Sequence, residues 1–260
     1  MFLTYIPVVF PPDPVGRKLP YPLMRAFTSS SLRSGLMVLL LSSATAISAV
    51  ASSSSAVQWM NNYYQNPAPE QFTSSVLELS RSGYFEESGH VPLAIGFIAT
   101  VFAKNPDKIA AWMQFSHVLP TSHQRILVAA LWYSGNPKGA DYLRSYARDC
   151  DPSLRTSIDE MINSSASLQN AEVRSLSSMN LQWGVFLANG DTAPVRAILA
   201  ALGNSALDQD VRWSLAQNAA QHERVLAICR DELSRQPNAV RETLRAVILD
   251  AESKRKSSSS

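Results

Sequence analysis

The 260-residue chain has ten glycines but no G-x-G and no G-K-[ST] among them. A loop that cradles phosphate needs closely spaced glycines, because side chains would keep the backbone amides away from the ligand. Nucleotide and dinucleotide folds are therefore excluded, the more so because they need parallel strands. The pentapeptide G-x-S-x-G is absent too, which removes a serine hydrolase of the nucleophile-elbow type. Zinc chemistry needs His or Cys at ligand spacing, and His90, His117, His123 and His222 make no H-E-x-x-H. Neither Cys150 nor Cys229 has a second cysteine at ligand distance. The expectation is thus no cofactor and no metal. Ten glycines are also too few for a collagen-like chain, and no apolar stretch reaches a membrane span once its serines and threonines are discounted.

What is present begins with 46% hydrophobic and 17% charged residues, enough apolar material for a buried core. Six of the fifteen prolines (Pro7, Pro11, Pro12, Pro14, Pro20 and Pro22) crowd the first 22 residues and prevent regular structure there. Met24 then opens a second start. It is followed by Arg25 and Arg33, an apolar run from Gly35 to Val50, and the small-x-small site Ala49-Val50-Ala51. That order reads as a secretory signal peptide over 24–51, cleaved after Ala51, with 1–23 an untranslated overhang. Removing residues 1–51 lowers the basic total from 23 to 19 and the acidic total from 21 to 20, so a net charge of +2 becomes −1. Nucleic-acid binding then loses its electrostatic support. The expected location is periplasmic or secreted, with no integral membrane span left after cleavage.

Beyond a serine linker over 52–58, the pattern is helical. Phe72, Val76 and Leu79 mark one stripe of a helix over 69–82 that stops at Gly83. Leu93 to Phe102 is apolar on more than one face, as in a helix buried between neighbours. Start signals recur at Asn66-Pro67, Asn105-Pro106, Asn136-Pro137 and Asp151-Pro152, where Asn or Asp can cap and Pro can take the first helical position. The intervals hold two helix patterns each, a length suited to stacked repeats. Five further helices are predicted at 173–188, 193–202, 208–220, 225–233 and 240–251, after a polar boundary near 164–170. The fold class is all-α, roughly ten helices as stacked antiparallel pairs in a degenerate α-solenoid, the alternative being a compact irregular helical domain. The Lys254-Arg255-Lys256 run with its serines reads as a disordered tail over 253–260. In a solenoid, Cys150 and Cys229 stand too far apart to bond.

Two segments, Trp183-Gly184-Val185-Phe186-Leu187-Ala188-Asn189-Gly190-Asp191 and Trp213-Ser214-Leu215-Ala216-Gln217-Asn218-Ala219-Ala220-Gln221-His222, carry a resemblance. They resemble a group of uncharacterised exported all-helical, repeat-like proteins of Gram-negative bacteria. The resemblance implies export and helices but no mechanism.

Candidate site residues come from polar groups on helical faces. Ser214, Asn218 and Gln221 share an arc at i, i+4 and i+7, beside Trp213 and ahead of His222. That strip either satisfies groups between helices or holds an extended peptide. Tyr63 and Tyr64, with Asn61 and Asn62, form an amide-aromatic patch that either caps the first helix pair or binds a partner. Trp112, Trp132, Trp183 and Trp213 lie in apolar helix patterns and read as core. His117 and His123 flank Pro120 in a loop and read as a surface pair. Glu86 and Glu87, ahead of Ser88, read as acids at a helix entry. The resulting expectation is an exported, non-catalytic scaffold for a protein or peptide partner. Its rivals are a cell-envelope hydrolase with Glu86 or Glu87 as acids, and an envelope assembly or chaperone factor.

Overall fold

The structure, a computed structural model, describes residues 54–163, 172–203 and 206–258. Among these residues there are twelve α-helices and no strand, so the fold is all-α. The helices are α1 (Ser55–Asn62), α2 (Phe72–Arg81), α3 (His90–Lys104), α4 (Ile109–Ser116), α5 (Thr121–Tyr133) and α6 (Gly139–Tyr146). They continue as α7 (Pro152–Ile162), α8 (Leu176–Asn189), α9 (Thr192–Leu199), α10 (Asp208–Gln221), α11 (Glu223–Leu233) and α12 (Asn238–Ser258). Short 3-10 turns precede α2 (Pro69–Gln71) and α3 (Tyr84–Glu86). Sequential neighbours pack as stacked helices do, α1 on α2, α5 on α6, α6 on α7, α8 on α9 and α10 on α11.

The apolar stripe of α2 is the core side of that helix, with Phe72, Val76 and Leu79 all buried. Phe72 stacks on Trp112 with ring centroids 4.2 Å apart, and Trp59 meets Phe97 edge-on at 5.0 Å. Aromatic pairs in these geometries stabilise beyond their buried area. α3, apolar on several faces, is enclosed by α5 and α8.

The α3–α8 crossing is the closest approach between elements far apart in sequence. A Cβ on Gly96 would stand 2.1 Å from the Leu181 carbonyl oxygen, and one on Gly184 would stand 2.0 Å from that of Leu93. Backbone meets backbone there, which a glycine on each helix permits and any side chain prevents. This crossing joins the helices before residue 163 to those after residue 172.

Several local expectations need correction. The Asn-Pro pairs make turns ahead of helices and do not cap them. Asn105 turns its amide back to Val101 O at 2.8 Å, closing α3, and α4 starts only at Ile109. Asn136 Oδ1 accepts from Lys138 N at 2.8 Å in an Asx turn, two residues short of α6. Asp151 alone behaves as expected, accepting from Ser153 N at 2.8 Å with Pro152 at the first helical position. The 52–58 linker is shorter than expected, because α1 begins at Ser55. Ser54 Oγ accepts from Val57 N at 3.3 Å, and Glu78 accepts from the Ser55 hydroxyl and from Ala56 N. The bond from Ser55 holds the Glu78 carboxyl below its ordinary value. At the other end, 253–258 is helical and not a frayed tail: Lys254 pairs with Asp250 at 2.7 Å, and Arg255 pairs with Glu223. The overhang, the signal segment and the boundary near 164–170 lie outside the described residues.

Candidate functional site

α1 ends in a tyrosine pair whose members part company. Tyr63 turns inward, buried 5.2 Å from the Phe97 ring, and burial pushes its phenol up. It packs in the core, where its ring completes the Trp59 and Phe97 cluster. Asn61 is buried as well. Tyr64 stays half-exposed and is fixed from three sides. Its N–H donates to Leu187 O at 3.0 Å, its ring lies 5.1 Å from Phe186 and 5.7 Å from His222, and its hydroxyl accepts from Gln65 at 2.9 Å. Gly190, with φ of +68°, makes room: a Cβ there would come within 2.7 Å of the Tyr64 ring.

Of the six residues singled out for binding, the structure brings Tyr64 and His222 together, with His222 Nδ1 3.5 Å from the Tyr64 hydroxyl. Gln221 is exposed beside them, and the exposed Arg224 reaches Gly190 O at 3.4 Å. Arg224 lies close enough to pull on the Tyr64 phenol, although burial dominates and raises it. Trp213 is only half-buried, against the expectation of a core residue. It lies about 13 Å back along α10 from His222, on another face. Trp132 is likewise half-buried, whereas Trp112 and Trp183 are core.

The polar strip on α10 divides between packing and surface. Ser214 is buried and accepts from Trp183 Nε1 at 2.7 Å, tying α10 to α8. Asn218 is buried but donates to Ser214 O at 2.9 Å within its own helix. The strip therefore satisfies buried groups at Ser214 and Asn218, as buried polar atoms must be satisfied, and is open only at Gln221. His222 itself is enclosed: burial lowers its pKa to about 4, and its Nε2 has no protein partner.

No family model, curated protein or solved structure matches this chain. The chemistry of its sites has to be read from their geometry alone.

A second cluster joins His123 and Glu86, which the sequence places in separate roles, to Ser80, which it does not single out. His123 sits in the first turn of α5 and is buried, not part of a surface pair. Its Nδ1 lies 2.8 Å from Ser80 Oγ on α2, and its Nε2 lies 2.9 Å from Glu86 Oε1 on the 3-10 turn. Phe85 presents its ring edge-on at 5.3 Å. His117 does remain exposed, stacked on Tyr146 at 4.5 Å. Nearby, His90 stacks on Tyr84 at 4.1 Å and meets Glu87 Oε2 at 3.4 Å, with burial lowering its pKa. The sequence signal for the cluster is thin: Ser80 and His123 are 43 residues apart. No spacing rule predicts which histidine a loop turns inward.

Cys150 and Cys229 are both free and buried. Burial pushes the Cys229 thiol up to about 12 and that of Cys150 above its ordinary value. A buried thiol with a raised pKa carries little of the thiolate that reacts. No group of three His, Cys, Asp or Glu able to hold a metal occurs among the described residues, and no helix among them is long and apolar enough to cross a membrane.

Proposed function

We propose that this chain is an exported helical scaffold of the Gram-negative cell envelope that binds a protein or peptide partner at the junction of α1, α8 and α10. The observation that carries the reading is Tyr64, a half-exposed aromatic whose backbone, ring and hydroxyl are all fixed by contacts to other residues. A pre-ordered tyrosine loses little entropy on binding, which is why such residues serve as anchors at interfaces. Around it, Gln65, Gln221 and Arg224 place amide and guanidinium groups at the surface. That chemistry suits the carbonyls and carboxylates of an extended peptide better than an apolar helix. Large exposed hydrophobics are scarce among the described residues, Val118 at 68% and Leu249 at 60%, which also disfavours an apolar docking groove.

The test uses the full chain expressed in a Gram-negative host, with Gln221→p-benzoylphenylalanine as a photocrosslinker and the same substitution at Arg81 as control. A discrete crosslinked partner from position 221, absent from position 81 and lost on Tyr64→Ala, supports the reading. Equal crosslinking from both positions contradicts it, and capture of many unrelated chains marks a chaperone. The export half is tested by intact mass, which should match a chain starting at Ser52; a mass retaining Met24 or Met1 contradicts it.

A further inference from the structure

We propose that Ser80, His123 and Glu86 form a nucleophile, base and orienting carboxylate that take an acyl group from a carboxylic ester. This goes beyond the binding reading and stands on other elements: α2, the 3-10 turn before α3, and α5.

Ser82, Ser134 and Ser157 each donate to a carbonyl three or four residues back in their own chain segment, the usual local solution. Ser55, Ser116 and Ser214 bond to side chains distant in sequence, but to a carboxylate, a phenol and an indole N–H. Ser80 instead reaches an imidazole 2.8 Å away across 43 residues of sequence. Nucleophile and base within hydrogen-bond reach, with the base held by a third group, is the arrangement that activates a hydroxyl. The third group is Glu86, 2.9 Å from Nε2. A carboxylate accepts and does not donate, so Nε2 carries a hydrogen, and in the tautomer this selects Nδ1 is the acceptor for the Ser80 hydroxyl. The proton therefore has somewhere to go.

The imidazole is 3% exposed whereas the Glu86 side chain is 70% exposed, and Ser80 is half-buried. The base is thus enclosed while Ser80 and Glu86 on either side of it reach the surface, and solvent is the source of the water for deacylation. In the first step Ser80 Oγ bonds to the ester carbonyl carbon as His123 Nδ1 takes its proton. The tetrahedral adduct then breaks its bond to the alcohol oxygen, and the alcohol leaves with that proton. Water attacks the acyl-serine, gives its proton to Nδ1, and releases the acid as the proton returns to Ser80 Oγ. The sum is ester plus water to acid plus alcohol, with no oxidant and no cofactor. Esters fit better than amides because the C–O bond of the adduct breaks with less assistance from the acid than a C–N bond does, and no group beyond His123 is placed to assist it. Glu86 touches no substrate in this scheme; it is a positioning residue.

The test incubates the folded, full chain with a fluorophosphonate and locates the adduct by peptide mass spectrometry, with p-nitrophenyl acetate hydrolysis followed in parallel. The expected result is one adduct, on Ser80, lost in Ser80→Ala and in His123→Gln, with circular dichroism confirming that each variant is folded. Glu86→Gln should lower kcat at least tenfold and leave KM unchanged, a split that a merely structural acid would not produce. If His123→Gln fails to fold, the wild-type adduct and the Ser80→Ala control decide alone. No adduct on Ser80 in folded wild type, or labelling that survives Ser80→Ala, overturns the proposal and leaves His123 a clasp between α2 and α5.

Discussion

His123 and His222 are almost equally buried, at 3% and 4% exposure, yet their surroundings differ in kind. His123 spends both ring nitrogens on side chains from two other elements, a serine hydroxyl and a carboxylate. His222 has one long contact from Nδ1 to Tyr64, aromatic neighbours in Phe186 and Tyr64, and a bare Nε2. Burial by itself therefore says little about a histidine's role. The groups around the ring decide whether burial merely keeps it neutral or sets it up to move a proton. The two lie in parts of the chain joined by the α3–α8 crossing, which makes them comparable within one fold.

The most disruptive way to break the comparison is at that crossing. Gly184→Ala puts a Cβ 2.0 Å from a backbone oxygen that cannot rotate away, and overpacking against backbone is expected to cost about 3 kcal/mol or more. Chemical denaturation should show the loss, and probes near His123 and His222 should lose their native signals together. Loss at only one site would mean that the two parts are stabilised independently.

The next largest effect belongs to His222. Its folded-state pKa of about 4 lies below the unfolded value of 6.5, so the unfolded chain binds the proton first as pH falls. Stability is then fully present above about pH 6.5 and declines towards pH 4, by up to about 3 kcal/mol from this residue. His222→Gln should show a shallower stability decline over that window than wild type; equal slopes would mean that the imidazole is solvated.

Ser214→Ala should cost about 1 to 3 kcal/mol, because it strands the buried Trp183 N–H. Glu86→Ala should change stability by no more than about 0.5 kcal/mol, since its carboxylate is mostly in water. A loss of several kcal/mol there would make Glu86 a structural clasp.

Helices are legible in the sequence wherever apolar spacing is strong. The Phe72, Val76 and Leu79 stripe is buried, and the helix expected over 240–251 buries Leu244, Val247, Ile248 and Ala251. Starts are less legible, because Asn before Pro suits an Asx turn as well as a cap, and the residues beyond the proline decide between them. The α3–α8 crossing leaves only two glycines as a trace, ordinary until the helices meet. Of the candidate binding residues, Tyr64 and Tyr63 are adjacent in sequence and yet one faces solvent and the other the core, a division set by Phe97 packing rather than by residue type. The Ser80, His123 and Glu86 cluster depends on the path of the loop before α5, which carries no periodic signal.

Nitrogen-15 NMR of both imidazoles in one pH titration tests most directly the claim that these two buried histidines have different roles. The expected result is a His123 tautomer with its hydrogen on Nε2, facing Glu86, and Nδ1 accepting from Ser80, and a His222 that stays neutral until about pH 4. An Nδ1–H tautomer at His123, or a His222 that titrates near its ordinary value, would contradict it.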